Sequence, residues 1–192
     1  SWGAMGISAL EGVFKGAEVS WGDLWDVDLS GGKIVLWSGY GRHLIAATLK
    51  WLGYSANSED PAELAAAWDA LLRLRSRVIV FETSNYADYV GPALRGQIRA
   101  TVADTAAYST LRNLGLPVHY YYPSEGGLLW GDSLVIPANS RNPALAAQFI
   151  DYLLSPEVAA EVMAANRLRS TNEAAVEHLA PALRDDPILF PD

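Results

Sequence analysis

The feature that most constrains the fold of this chain is an alternation of strand-like and helix-like runs that stops two-thirds of the way along. KIVLW (33–37), VIVFE (78–82), RATVAD (99–104) and VHYYY (118–122) are short and rich in β-branched or aromatic residues. Between them lie GRHLIAATLKWLG (41–53), DPAELAAAWDALLRLRSR (60–77), NYADYVGPALRG (85–96) and TAAYSTLRNLG (105–115), whose apolar residues recur at helical spacing. Asp60 as N-cap, Pro61 at the first helical position and Glu63 two further on make a helix start, and Gly53 stands where a helix would end. Such alternation predicts an α/β lobe, with a mostly parallel sheet and helices on its faces.

After Pro137 the pattern changes. NPALAAQFIDYLLSPEVAAEVMAANR (142–167) reads as two helices in tandem, opened by Asn142–Pro143 and Ser155–Pro156, and no strand follows. An apolar helical pair must bury its stripe against something, and the rest of the sequence offers it no second sheet. The expected structure is one α/β lobe plus a helical extension that packs poorly or against another chain.

Composition excludes several function classes. A net charge of -8, with 14 scattered Lys and Arg, does not suit a phosphate-binding surface, so no nucleic-acid partner is expected. No apolar run reaches the roughly 18–20 residues that span a bilayer, so direct membrane insertion is not expected. The chain has no cysteine, hence no disulfide framework and no thiolate metal site. His43, His119 and His178 fall on different elements without metal-ligand spacing, so neither a metal nor a cofactor is expected. SGYGRH (38–43) is similar to an anion-cradling turn but is neither a dinucleotide nor a P-loop motif. An enzyme is not expected: the one acid–base pair to consider, Asp104 with His43, has no supporting motif.

Aromatics are more telling. Among 7 Trp and 9 Tyr, Trp37, Tyr40, Tyr108 and Trp130 stand near strand ends, where open α/β sheets bind ligands. In EGGLLWGDSLVIPANS (125–140), a strand ending at the proline would put Trp130 and Asp132 on one face. An indole and a carboxylate side by side suit a cation, and the other reading makes Trp130 core and Asp132 a turn cap.

SWGDLWD (20–26), KWLGYSANSEDPAELAAAWDALLRL (50–74), YYPSEGGLLWGDSLVIPANSRNPALAAQFIDYLLSPEVAAEVM (121–163) and DDPILFPD (185–192) together resemble the periplasmic spermidine/putrescine-binding proteins of ABC importers. The resemblance implies a type II periplasmic binding protein fold, a two-lobed clamp that closes on a polyamine and hands it to a membrane permease. It also implies a periplasmic location, or one on the extracellular face of a bacterial cell envelope, and no catalysis. It assigns Trp130 and Asp132 to stacking on and ion-pairing with the ligand. Tyr40 and His43 align with two acidic ligand positions of the family, and Asp104 with a tryptophan. The implied ligand-binding set is Trp130, Asp132, Asp104, Tyr40, His43 and Trp37, holding a polyamine or a smaller cationic amine. A sensor or partner-binding lobe without a transport role is the alternative.

The resemblance further implies a fragment lacking the first part of lobe one and the last helices. The expected division is 1–125 as lobe two, 126–171 as the second segment of lobe one, and 172–192 returning to lobe two. SWGAMGIS (1–8) then corresponds to a hinge strand.

Overall fold

The computed structural model describes residues 1–16, 18–82 and 87–190. The chain divides into two compact units, a sheet unit (4–128) and a helical unit (1–3 with 129–192).

The sheet unit contains most of β1 (Trp2–Leu10), then α1 (Asp23–Asp26), β2 (Lys33–Trp37), α2 (Gly41–Trp51), α3 (Pro61–Leu74), β3 (Val78–Phe81), α4 (Ala87–Leu94), β4 (Ile98–Asp104), α5 (Thr105–Asn113) and β5 (Val118–Tyr121). The order across the sheet is β3-β2-β4-β1-β5, and β6 (Leu128–Gly131) also pairs with β1. The first two residues of the helix expected over 85–96 lie outside the described residues; the rest forms α4.

A mostly parallel sheet is corrected to a mixed one. β2 runs parallel to β3 and β4, but β1 runs antiparallel to both β4 and β5, opposing Ile7 to Val102 and to Tyr121. Strand direction depends on a partner about a hundred residues away, and no local pattern encodes it. The centre is dry: Ile7, Ile34, Ile98, Ala100 and Leu111 have no accessible surface. Local chemistry sets the helix ends as expected. Asp60 Oδ1 accepts the N–H groups of Ala62 and Glu63, and Gly53 takes φ +83° while donating to Lys50 O beyond α2.

The helical unit contains α6 (Pro143–Leu154), α7 (Pro156–Asn166) and α8 (Pro181–Arg184), with no strand after β6 among the described residues. Both long helices start at the expected prolines, but neither Asn142 nor Ser155 caps through its side chain; Ser155 Oγ instead donates back to Tyr152 O at 2.8 Å. α6 has no buried residue and exposes Leu145, Phe149 and Tyr152. α7 buries Ala159, Ala160 and Met163 against Ala175 and Leu179 of the following segment.

The tail, 172–192, expected to return to lobe two, lies in the helical unit. The tail groups with 129–171 because small residues on α7 let Ala175 and Leu179 close over them, and Phe190 packs on the same cluster. Residues 191 and 192 lie outside the described residues.

Candidate functional site

Four of the six expected site residues meet at one edge of the sheet unit. Parallel pairing of β2 with β4 puts the carboxyl ends of both strands together, Trp37 closing the first and Asp104 the second. α2 and α5 begin at the same edge, so Tyr40 precedes the first turn of α2, His43 lies within it, and Asp104 is the N-cap of α5. Tyr40 and His43 meet edge to face, with ring centroids 5.5 Å apart.

His43 is half-buried, and its Nδ1 is shielded with no hydrogen-bond partner among the described residues. Burial, and next the Arg42 guanidinium beside it, hold its pKa below the ordinary value; the Asp104 carboxylate pulls the other way without prevailing. Asp104 Oδ1 accepts the N–H of Ala107 at 2.7 Å. Asp104 therefore serves the fold as a cap, and its carboxylate also acts electrostatically on His43.

Trp37 is packed into the core of the sheet unit. It is 4% exposed, and its ring packs against Phe81 at 5.4 Å and Tyr89 at 6.4 Å.

Trp130 and Asp132 belong to the helical unit. The strand carrying them ends at Gly131, and the run after it is not the proline-ended strand expected from its pattern, since Leu134 and Val135 are 61% and 80% exposed. The Trp130 ring lies on Gly3, where a Cβ would sit 2.7 Å from Cζ2; its Nε1–H is shielded and has no acceptor among the described residues. Asp132 is tied through its backbone, its N–H donating to Ser1 O at 2.8 Å and its carbonyl accepting from the Ser1 ammonium at 3.1 Å. Its exposed carboxylate makes no hydrogen bond or ion pair with the described residues. Asp132 also borders a largely apolar cavity of about 330 Å³ within the helical unit, with Val162, Met163 and Arg169 among its walls.

Sequence reasoning missed a clasp built on Glu125. Its Oε1 accepts from Ser20 Oγ at 2.5 Å and its Oε2 from the Trp21 N–H at 3.1 Å, while the Trp21 indole N–H donates to Gly126 O at 3.1 Å. Burial alone would raise the Glu125 pKa, but the hydrogen bonds from Ser20, Trp21 and Ser124 outweigh it and hold the carboxyl below its ordinary value. No local signal marks the clasp, whose halves are 105 residues apart.

Each unit thus carries a carboxylate and an aromatic ring among the expected site residues, Asp104 with Tyr40 in the sheet unit and Asp132 with Trp130 in the helical unit. Residues 13–191 match the family of bacterial extracellular solute-binding proteins, and the chain belongs to that family. The particular relatives narrow the class. The chain is 34% identical over 192 residues to the spermidine/putrescine-binding periplasmic protein of Escherichia coli (strain K12), covering all of this chain and 54% of that protein. It is 29% identical over 197 residues to spermidine/putrescine-binding periplasmic protein 1 of Haemophilus influenzae, covering 98% of this chain and 51% of that one. Among solved structures, the spermidine/putrescine ABC transporter substrate-binding protein of Streptococcus pneumoniae, crystallised with calcium and HEPES, superposes with a TM-score of 0.80 at 29% identity, over 100% of this chain and 58% of that one. The chain spans about half the length of the curated relatives it matches. The fold is accordingly part of a two-lobed periplasmic binding protein.

Proposed function

We propose that the protein carrying this chain is the substrate-binding component of an ABC importer, capturing a polyamine or a smaller cationic amine outside the cytoplasmic membrane for delivery to a permease. The observation that carries this reading is the similarity to a spermidine/putrescine-binding periplasmic protein, which runs unbroken through all 192 residues. The chemistry of the side chains agrees. Asp132 presents a carboxylate without a cationic partner among the described residues, two positions along the chain from Trp130, and the Asp104 carboxylate acts on His43, whose ring meets Tyr40. Carboxylates attract an ammonium by charge, and aromatic faces attract it through their quadrupole. In this reading the candidate ligand contacts are Asp104, Tyr40, His43 and Trp37 in the sheet unit and Trp130 and Asp132 in the helical unit.

Thermal unfolding of the full-length protein tests it. Putrescine, spermidine or a monoamine at about 100 times its Kd should stabilise the protein by about 2.7 kcal/mol, while sulfate, phosphate and neutral sugars should not. Asp132→Asn keeps the shape and removes the charge, and should weaken the best amine by about 2–5 kcal/mol in calorimetric titration. Stabilisation by an anion with none by any amine would overturn the proposal.

A further inference from the structure

Two features of His43 bear on how it responds to acid. Its ring lies in the first turn of α2, at the sheet edge that also carries the Asp104 carboxylate. Its Nδ1 is shielded and has no hydrogen-bond partner among the described residues. A neutral imidazole tolerates this by carrying its proton on Nε2 and leaving a lone pair on Nδ1. An imidazolium must donate from both nitrogens, and so would be left with a shielded N–H that has nothing to donate to.

The charged and titratable groups facing it are Arg42 on its own helix, Tyr40 in the preceding turn and Asp104 at the end of β4. Burial and Arg42 oppose a positive charge on His43, Asp104 favours one, and the opposition prevails. The ring is therefore uncharged at neutral pH and gains its charge only in more acidic medium.

We propose that His43 gates amine binding by pH: uncharged, it leaves the Asp104 carboxylate to an ammonium group of the ligand, and protonated, it sets a competing cation against that carboxylate and expels the amine. The inference rests on the reading that this protein binds a cationic amine through Asp104. Capture then runs near neutrality and weakens as the medium acidifies. The sign follows from linkage: a cationic ligand and a proton on His43 exclude one another, so bound amine lowers the His43 pKa and falling pH lowers amine affinity.

Calorimetric titration of the full-length protein with putrescine at about pH 7.5 and about pH 5.5 brackets the ordinary histidine range, and the amine groups of putrescine stay protonated at both values. The expected result is a Kd more than about twofold higher at the lower pH, and by less than the roughly tenfold that an unshifted imidazole would give. In His43→Gln, whatever its affinity at the higher pH, the ratio of the two Kd values should stay within about twofold. Equal affinity at both pH values, or the same ratio in the variant, overturns the gate and leaves the amine reading standing. No binding of putrescine, spermidine or a monoamine at the higher pH overturns both. Should the variant not fold, proton release by the parent protein decides, measured on binding at about pH 6 in buffers of different ionisation enthalpy. A released fraction supports the gate, and none overturns it.

Discussion

Glu125 gives the sharpest test of how the sheet unit holds together, because the structure shows both what it does and at which pH. Each carboxylate oxygen has its own donor, Ser20 Oγ at 2.5 Å and the Trp21 N–H at 3.1 Å, and Trp21 itself has no accessible surface. Hydrogen bonds to a charged group contribute about 1.5–3 kcal/mol each, and partial exposure of Glu125 puts these near the lower figure. Glu125→Ala should therefore cost about 3 kcal/mol. Glu125→Gln keeps one acceptor oxygen, turns the other position into a donor facing a donor, and should cost about 1–2 kcal/mol. At roughly 2–4 °C per kcal/mol for a chain of this size, the alanine variant should melt about 6–12 °C below the parent.

The pH dependence fixes the cause. The folded carboxyl titrates below the ordinary value of 4.5, so the stability it contributes is fully present above 4.5 and disappears as pH falls through the folded value. The difference between parent and Glu125→Gln should be constant around neutrality and shrink as pH falls below 4.5. Differential scanning calorimetry of the full-length proteins across that range measures it. Variants melting within about 1 °C of the parent near neutrality, or a difference that persists undiminished in acid, would refute the assignment of this stability to a charged clasp.

Two further outcomes follow from single contacts. Asp104→Ala removes the N-cap of α5 and should cost about 0.5–2 kcal/mol in denaturant unfolding, whereas Asp104→Asn, an equally good cap, should keep stability within a few tenths while weakening amine binding; equal stability loss in both would contradict the capping geometry. Gly3→Ala would drive a Cβ to 2.7 Å from Trp130 Cζ2, so the indole must shift; the expected readout is a changed tryptophan emission and a stability loss of about 1–3 kcal/mol, and an unchanged spectrum with unchanged stability would contradict the packing.

What was legible in the sequence is what short-range chemistry decides. KIVLW forms β2 over the residues its pattern marks, and Asp60, Pro61 and Gly53 bound helices because caps and left-handed turns act within a few residues. What was not legible depends on distant partners. β1 runs antiparallel through the sheet because β4 and β5 flank it, and the tail stays with α7 because Ala175 and Leu179 find Ala159, Ala160 and Met163 there. LVIP misled because an apolar run is read as buried, and Leu134 and Val135 are not.

Asp104 shows why a site residue is harder to read than a fold residue. Asp-Thr-Ala-Ala after a strand is a legible cap signal, and the carboxylate does cap α5 through Oδ1. Capping and ligand binding are not competing explanations, because one oxygen suffices for the Ala107 N–H and a carboxylate has two. An aspartate fixed by the helix it caps is held in one orientation before any ammonium arrives, which lowers the ordering cost of binding. A structural role would thus prepare Asp104 for the binding role proposed for it, and the two separate only when charge is removed without removing the cap.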